Sequence, residues 1–319
     1  QHTLAIPNLQ VRMSAKVSGL ISNGDVVAGV VYQVDSGNTE RYKAALVVDA
    51  GGRGSKAPAW LDAAGFGKVP RSKVFIDVRY VTCNFTRPPE DLSGFVVRHY
   101  PQDKLGAALL PVEDDQWLLS LSGRFGVYAE TTLPGFLNSA QSLPISDVYD
   151  TIAGQAPTTP VTAYTFARNQ FVHYDQLTRV PNGFVALGDS VLSLNPLYGQ
   201  GMTSAFAQVS LLDETLATLA SAGDPVTQTS ARFLPQQAAF LDAPWARAMV
   251  GDTQFTETRG DLPEDLDLLR ARDAALSTLA ATDPEIARLL FQVNQFAEPA
   301  SVLGRDDIEQ KVQHILGPD

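Results

Sequence analysis

Residues 183 to 208 read GFVALGDSVLSLNPLYGQGMTSAFAQ, and the stretch from Gly188 to Gly201 concentrates residue types that serve a ligand better than a core. A buried strand is expected to end at Gly188-Asp189, a loop to carry Asn195-Pro196, and Gly199-Gln200-Gly201 to lead into a long helix. A carboxylate at the carboxyl end of a strand can accept hydrogen bonds from sugar or ribityl hydroxyls. Glycines let backbone N–H groups approach where a side chain would block them. A helix N-terminus carries about half a positive charge and favours an anion or an electron-rich ring. The bland alternative is a strand, a glycine turn and a capped helix, with Asp189 as an ordinary loop acid.

A hydrolytic reading competes for the same residues, because Gly188-Asp189-Ser190 looks like the nucleophile block of the GDS-type esterases. Ser190 would then attack an ester. That family places the block near the start of its chain and takes its base from a late Asp-x-x-His. None of the four histidines, His2, His99, His173 and His314, has an Asp three positions before it. A serine without its base is a weak nucleophile.

The string GDSVLSLNPLYGQGM resembles the second FAD-binding motif of the flavin-dependent aromatic hydroxylases (class A flavoprotein monooxygenases), whose pattern is G-D-A-A-H-x-x-x-P-x-x-G-Q-G-x-N. The spacing from Gly188 through Pro196 to Gly201 matches without a gap. The resemblance implies that Asp189 contacts the ribityl chain and that Pro196 lies beside the isoalloxazine. It also implies that Gly199, Gln200, Gly201 and Met202 present backbone to the flavin pyrimidine, where the helix dipole stabilises negative charge on reduced flavin. Leu192 stands in place of the family's His, and Thr203-Ser204 in place of its Asn-containing step. A second segment, LVVDAGGRGSKAPAWL, is similar to the family's middle motif V-G-A-D-G-x-x-S, with Gly51 in the Asp position and Ser55 in the Ser position. It lies 137 residues before the GD motif, the separation an inserted substrate domain produces.

The family's first motif, G-x-G-x-x-G on a βαβ unit, holds the ADP pyrophosphate, and no such string occurs here. The chain begins with Gln and its first segments correspond to family sequence well downstream of that unit. The expectation is therefore a truncated chain, with about a hundred residues of an intact homologue upstream of Gln1, inactive if the flavin depends on them.

The elements that would position these residues are legible in outline. Residues 8 to 49 read as a strand meander with turns at Asn23-Gly24-Asp25 and Ser36-Gly37-Asn38. Within AALVVDA the run Ala44 to Val48 is almost continuously apolar, which predicts a strand covered on both faces. From 71 to 125 short apolar runs broken by Pro, Gly and Asp predict antiparallel sheet, 134 to 154 one or two short helices, and VTAYTFARNQFVHY a further strand. Thr203 to Ala222 reads as a long helix, and the chain beyond Gly223 as helical to its end, with Pro244, Pro263, Pro284 and Pro299 at helix boundaries.

Other chemically able residues have duller readings. His173 and Tyr174 could face a substrate pocket but fit a packed or surface role, and Arg53 could meet a phosphate or sit in a solvated turn. Trp60, Trp117 and Trp245 read as core or interface residues. Cys83 reads as a small buried hydrophobe, and the acids from 261 to 267 as a solvated helix start. A lone cysteine cannot form an internal disulfide and no histidine pair has metal-ligand spacing, so a reducing, cytoplasmic setting and no metal are expected. With 35 Asp plus Glu against 24 Lys plus Arg the net charge is −11, which opposes nucleic acid as a partner. No run reaches the roughly 20 apolar residues of a membrane helix.

The expected fold is α/β: a partial FAD-binding three-layer domain (1–70 and 171–225, lacking its N-terminal dinucleotide-binding unit), an inserted antiparallel substrate sheet (71–170), and a C-terminal helical region (226–319). The resemblance implies an FAD-dependent monooxygenase or hydroxylase that takes electrons from NAD(P)H and transfers oxygen from O2 to an apolar or aromatic small molecule. No side chain is singled out as catalytic, because the cofactor does the hard chemistry. A polyprenyl reductase or halogenase on the same scaffold is the flavin alternative, the halogenase version lacking its W-x-W-x-I-P motif. A non-catalytic fragment or binding module is the alternative outside flavin chemistry.

Overall fold

Alternating apolar residues and Gly-containing turns build the first sheet. In the computed structural model, which describes residues 5–34 and 37–317, strands β1 (Lys16–Asn23), β2 (Val26–Gln33) and β3 (Thr39–Lys43) form an antiparallel meander in that order. The tight turn at Gly24-Asp25 joins β1 to β2. Of the second expected turn, Ser36 lies outside the described residues. Strand β4 (Val47–Asp49) follows, then a glycine-rich 3-10 turn (Gly52–Gly54) and the short helix α1 (Ala57–Ala63).

The large sheet is antiparallel throughout. It comprises β5 (Arg71–Thr86), β6 (Phe95–Val97), β7 (Leu105–Val112), β8 (Gln116–Arg124), β9 (Thr162–Val172), β11 (Leu192–Ser193) and β12 (Arg259–Gly260), in the order β11-β9-β5-β8-β7-β6 with β12 added beside β5. Strand β5 explains how one sheet serves two cores. Its even-numbered Val74, Ile76 and Val78 enter one buried cluster with Phe166, Phe171, Phe184 and Met249, and its odd-numbered Val81, Cys83 and Phe85 enter another with Trp117, Leu119, Phe136 and Ile152. Side chains alternate across a strand, so Val78 and Val81 point to opposite faces. Helices α2 (Leu133–Gln141) and α3 (Asp147–Ile152) close the second cluster, settling at two the one or two short helices expected over 134 to 154.

Strand β10 (Phe184–Ala186) is parallel to β4, pairing Phe184 with Val47 and Ala186 with Asp49. The expectation of a strand covered on both faces fails at β4. The strand is only three residues long, its sheet has two members, and Val48 is 42% exposed. Val47 packs against the first core while Val48, on the other face, is left exposed.

Helix α4 (Gly201–Ala222) ends at Gly223, and α5 (Thr229–Asp252) runs back across the first core through Phe233, Leu241, Trp245, Ala248 and Met249. Pro244 was expected at a helix boundary, yet it lies inside α5, as does Pro235. A proline removes one helical N–H, a loss of about 3 kcal/mol in an exposed helix. Here the buried residues that flank Pro244 keep the helix on the sheet across that gap. Pro284, at the start of α7 (Pro284–Asn294), behaves as expected, with Asp283 capping the backbone N–H groups of Glu285 and Ile286. The tail also departs from all-helix, because β12 intervenes before α6 (Leu266–Ala280). Asp261, expected to be a solvated acid, fastens that strand by accepting the N–H of Lys73. Helices α6, α7 and α8 (Asp306–Leu316) share a third cluster around Leu276, Leu289 and Ile308. No helix of the described residues is long and apolar enough to cross a membrane.

Candidate functional site

The parallel pairing of β4 with β10 sets the site. Parallel strands end on the same side, so the turn after β4 (Gly51 to Ser55) and the turn after β10 (Gly188 to Ser190) meet, although 137 residues separate them in sequence. The carboxyl edge of parallel strands is where open α/β sheets receive ligands. Asp49 organises the first turn. Its carboxylate accepts the Gly51 N–H at 2.9 Å and the Ser55 hydroxyl, and Ser55 in turn accepts the Ala57 N–H at 3.0 Å. The acid that the resemblance places at 51 is thus supplied, within the turn, from position 49.

On the second turn, amides from two helices hold the backbone. Gln208 of α4 accepts the Gly188 N–H at 2.9 Å, and Gln237 of α5 donates to both Gln208 and the Ala186 carbonyl. Ser190 is 2% exposed and its hydroxyl lies 2.8 Å from the Asp49 carbonyl and also against the Leu187 carbonyl. Used as a buried donor, with no histidine bonded to it among the described residues, it is poorly placed for nucleophilic attack, and the hydrolytic reading falls.

Asp189 sits at the open end. Crowding by the surrounding turns raises its carboxyl above the ordinary aspartate range, offset by the Ser193 hydroxyl at 3.4 Å and the charge of Arg53. Arg53 is no solvated turn residue. Its guanidinium lies 4.2 Å from the Phe166 ring centroid, Nη2 donates to the Arg168 carbonyl at 2.8 Å, and Nη1 is buried with no partner among the described residues. A desolvated donor left unmatched costs roughly 1–3 kcal/mol, so a ligand oxygen there would be well received.

The Pro196 to Met202 loop forms the remaining wall. Gly188 and Gly199 hold φ of 62° and 65°, a region in which only glycine is unstrained. Among the described residues no side chain caps the N-terminus of α4, which leaves its first N–H groups available to a ligand. Pro196, Gly199, Gly201 and Met202 are exposed, and Gln200 is partly buried, its Nε2 donating to the Asn294 carbonyl at 3.0 Å. Met202 at 80% exposure and Phe206 at 72%, spaced by one turn, continue this open surface along α4.

Beneath the loop lies a polar network that no local sequence pattern marks. Asn195 receives the Tyr80 hydroxyl at 2.6 Å, and its own N–H goes to Asn169 Oδ1 at 2.8 Å. Asp252 accepts from Asn169 at 2.7 Å, from Asn195 at 3.3 Å and from Arg124 at 2.8 Å. Asn169, Asn195, Arg124 and Asp252 are all essentially buried. They come from β9, the loop, β8 and the end of α5, so the network ties the loop to the large sheet. Burial pushes the Tyr80 phenol well above its ordinary range, keeping it a neutral donor.

Elsewhere, His173 bonds Ser72 at 2.8 Å and lines an open pocket with Asp242 and Trp245, whereas Tyr174 is packed in the first core. Cys83 is fully buried and its thiol is raised by desolvation.

Residues 1–229 match the family model described as FAD binding domain. The chain is 31% identical over 227 residues to Protein Rv3254 of Mycobacterium tuberculosis, covering 69% of this chain and 47% of that protein, so it spans about half the length of that curated relative. Among solved structures it is similar to a flavoprotein/dehydrogenase from Cytophaga hutchinsonii (TM-score 0.63, 14% identity, covering 93% of this chain and 66% of the other). It is also similar to the OxyS anhydrotetracycline hydroxylase from Streptomyces rimosus (TM-score 0.53, 19% identity, covering 90% and 53%). At these identities the two structures show the fold alone, the α/β flavoprotein architecture with its large antiparallel sheet.

Proposed function

The chain belongs to the family of FAD-binding domains, and on that premise we propose that it forms the flavin- and substrate-facing part of a monooxygenase that uses NAD(P)H and O2 on an apolar or aromatic small molecule. The observation that carries this is the meeting of two glycine-rich turns at the carboxyl ends of β4 and β10, beside the uncapped start of α4. The buried, unpartnered Nη1 of Arg53 and the open backbone at Gly199 and Gly201 fit a ligand with acceptor oxygens and a flat ring.

In this role Asp189 accepts hydrogen bonds from ribityl hydroxyls, and Pro196 lies along the ring. Gln200, Gly201 and Met202 offer backbone N–H groups to the pyrimidine edge, where the positive end of α4 favours negative charge, while Gly199, whose own N–H goes to the Pro196 carbonyl at 2.9 Å, leaves the ring room by having no side chain. Arg53 supplies a further cation beside Asp189. FAD, once held, supplies electron transfer and the activation of dioxygen. The protein's task is then to orient substrate and exclude water, and the Tyr80–Asn195 bond sets the spacing between the loop and the sheet that would carry the substrate. The sequence lacks the G-x-G-x-x-G string, so these residues account for the flavin and ribityl half of the cofactor and leave the pyrophosphate to other residues.

The test is a titration of the protein with FAD, followed by flavin fluorescence, on wild type and Asp189→Ala. Loss of charge-assisted hydrogen bonds of about 1.5–3 kcal/mol should weaken binding roughly tenfold to a hundredfold. Equal affinity in the two proteins would refute the assignment. NADPH oxidation that rises on addition of a substrate then separates a monooxygenase from a non-catalytic flavin carrier.

A further inference from the structure

Between α5 and the chain that leaves α7 lies a partly enclosed cavity of about 280 Å³, outside the site just described but touching it through Gln200. Its walls are mainly apolar, from Phe240 and Pro244 on one side and Val293 and Phe296 on the other. The Phe240 and Phe296 rings stand 5.5 Å apart at 44°, a tilted pair in direct contact that gives the cavity an aromatic surface on which a ligand ring can pack.

Two features set this cavity apart from a packing defect. The first is Phe296, which holds φ of 57° just past the end of α7. Glycine is the residue that ends helices in this conformation without strain. A bulky side chain there costs of order 1–3 kcal/mol and persists where something over-determines it, and the ring it places is one wall of the cavity. The second is Arg247. Its side chain lines the cavity, and among the described residues its guanidinium makes no hydrogen bond or ion pair. Burial lowers its pKa, and Asp273 is the acid whose charge it feels. Arginine donors match a carboxylate in two-point fashion, so a partly buried guanidinium with no bonded partner among the described residues, lining the same cavity as two aromatic rings, is complementary to an aromatic acid. Glu298 also lines the cavity and opposes an anion there, so the site takes an acid only where Arg247 outweighs it, which the cationic control below tests directly.

We propose that this cavity is a binding site for a small aromatic carboxylate, with Arg247 as its counter-ion and Phe240 and Phe296 as its ring-binding walls. Gln200 connects it to the flavin-facing loop. Its backbone belongs to that loop, its side chain lines the cavity, and its amide is anchored on α7 at Asn294. An acid bound here would sit against the segment that carries Gly199 and Gly201. The site stands on its own residues and does not rest on the flavin reading.

The experiment is isothermal titration of the purified, flavin-free chain with 1-naphthoate, with neutral 1-naphthalenemethanol and cationic 1-naphthylmethylamine as controls. Saturable binding of the naphthoate alone is expected. Arg247→Met should weaken it roughly tenfold to a hundredfold and Arg247→Lys by less, while Ala243→Phe, which fills the cavity, should abolish it. Far-UV circular dichroism checks the fold of each variant, and a misfolded Arg247→Met leaves the Lys and Phe variants to decide. No saturable naphthoate binding, stronger binding of the amine, equal binding of the alcohol, or binding unaffected by Ala243→Phe would each overturn the proposal. None of these outcomes depends on whether FAD binds.

Discussion

Replacing Asp252 tests whether the buried network holds the loop and the large sheet together. In Asp252→Leu the Arg124 guanidinium, 2% exposed, loses its only ion pair among the described residues, and the side-chain amides of Asn169 and Asn195 each lose an acceptor. Removing one partner of a buried pair costs about 3–5 kcal/mol, chiefly because an uncompensated charge is left inside. That is roughly two to four powers of ten in the unfolding equilibrium. Urea unfolding read by both tryptophan fluorescence and far-UV circular dichroism would measure it, coincident curves licensing the free-energy comparison. Adding Arg124→Met removes the stranded charge and should restore about 2 kcal/mol or more, leaving the smaller deficit of the two asparagine amides, each about 1 kcal/mol. If Asp252→Leu costs less than about 1 kcal/mol, or if the double variant is as unstable as the sum of the singles, the pair does not work as described.

Tyr80→Phe removes the 2.6 Å bond to Asn195 and should cost about 1–2 kcal/mol. Hydrogen exchange at the Leu197 and Gly199 amides should accelerate, and unchanged protection would show that the loop is held without it. His99 is buried, and desolvation lowers its pKa to about 4, although its ring nitrogen donates to the Ser122 carbonyl at 2.8 Å. A lowered histidine pKa means the unfolded chain takes the proton first. Its contribution is intact above pH of about 6.5 and is lost as the pH falls toward about 4, by up to roughly 3 kcal/mol. Urea midpoints across that window should fall less steeply in His99→Gln than in wild type, and parallel curves would refute the assignment.

The sequence displayed the loop and the helix start of the candidate site better than the contacts beneath them. The GD and GQG strings are contiguous, and their chemistry follows from residue type, so the loop and the start of α4 could be placed from the page. The turn at Gly24-Asp25 and the two short helices α2 and α3 were equally legible, because local turn and cap chemistry decides them. Pro244 misled because burial of its neighbours outweighs one missing N–H, a tertiary effect invisible in a local rule. Strand β12 is two residues long and carries no periodicity. Arg124, Asn169 and Asp252 are brought together only by the fold, from positions as far as 128 residues apart, so no window of sequence joins them. Arg53 was ambiguous for a related reason, since what distinguishes it is the Phe166 ring and the Arg168 carbonyl of a distant strand.

The three-residue pairing of β4 with β10 has a consequence for the order in which the chain folds. Its partners stand 137 residues apart, and each contributes too few backbone bonds to meet that loop-closure entropy alone. The large antiparallel sheet, built from shorter-range hairpins such as β7 with β8, shortens the gap before the two turns can meet, and α5 must then cover β10 through Gln237. The two glycine-rich turns are thus expected among the last contacts to form, as long-range pairing predicts. Recovery of cofactor binding during refolding should lag behind recovery of sheet signal, so binding competence reports that the whole chain from β4 to α5 has reached its native arrangement.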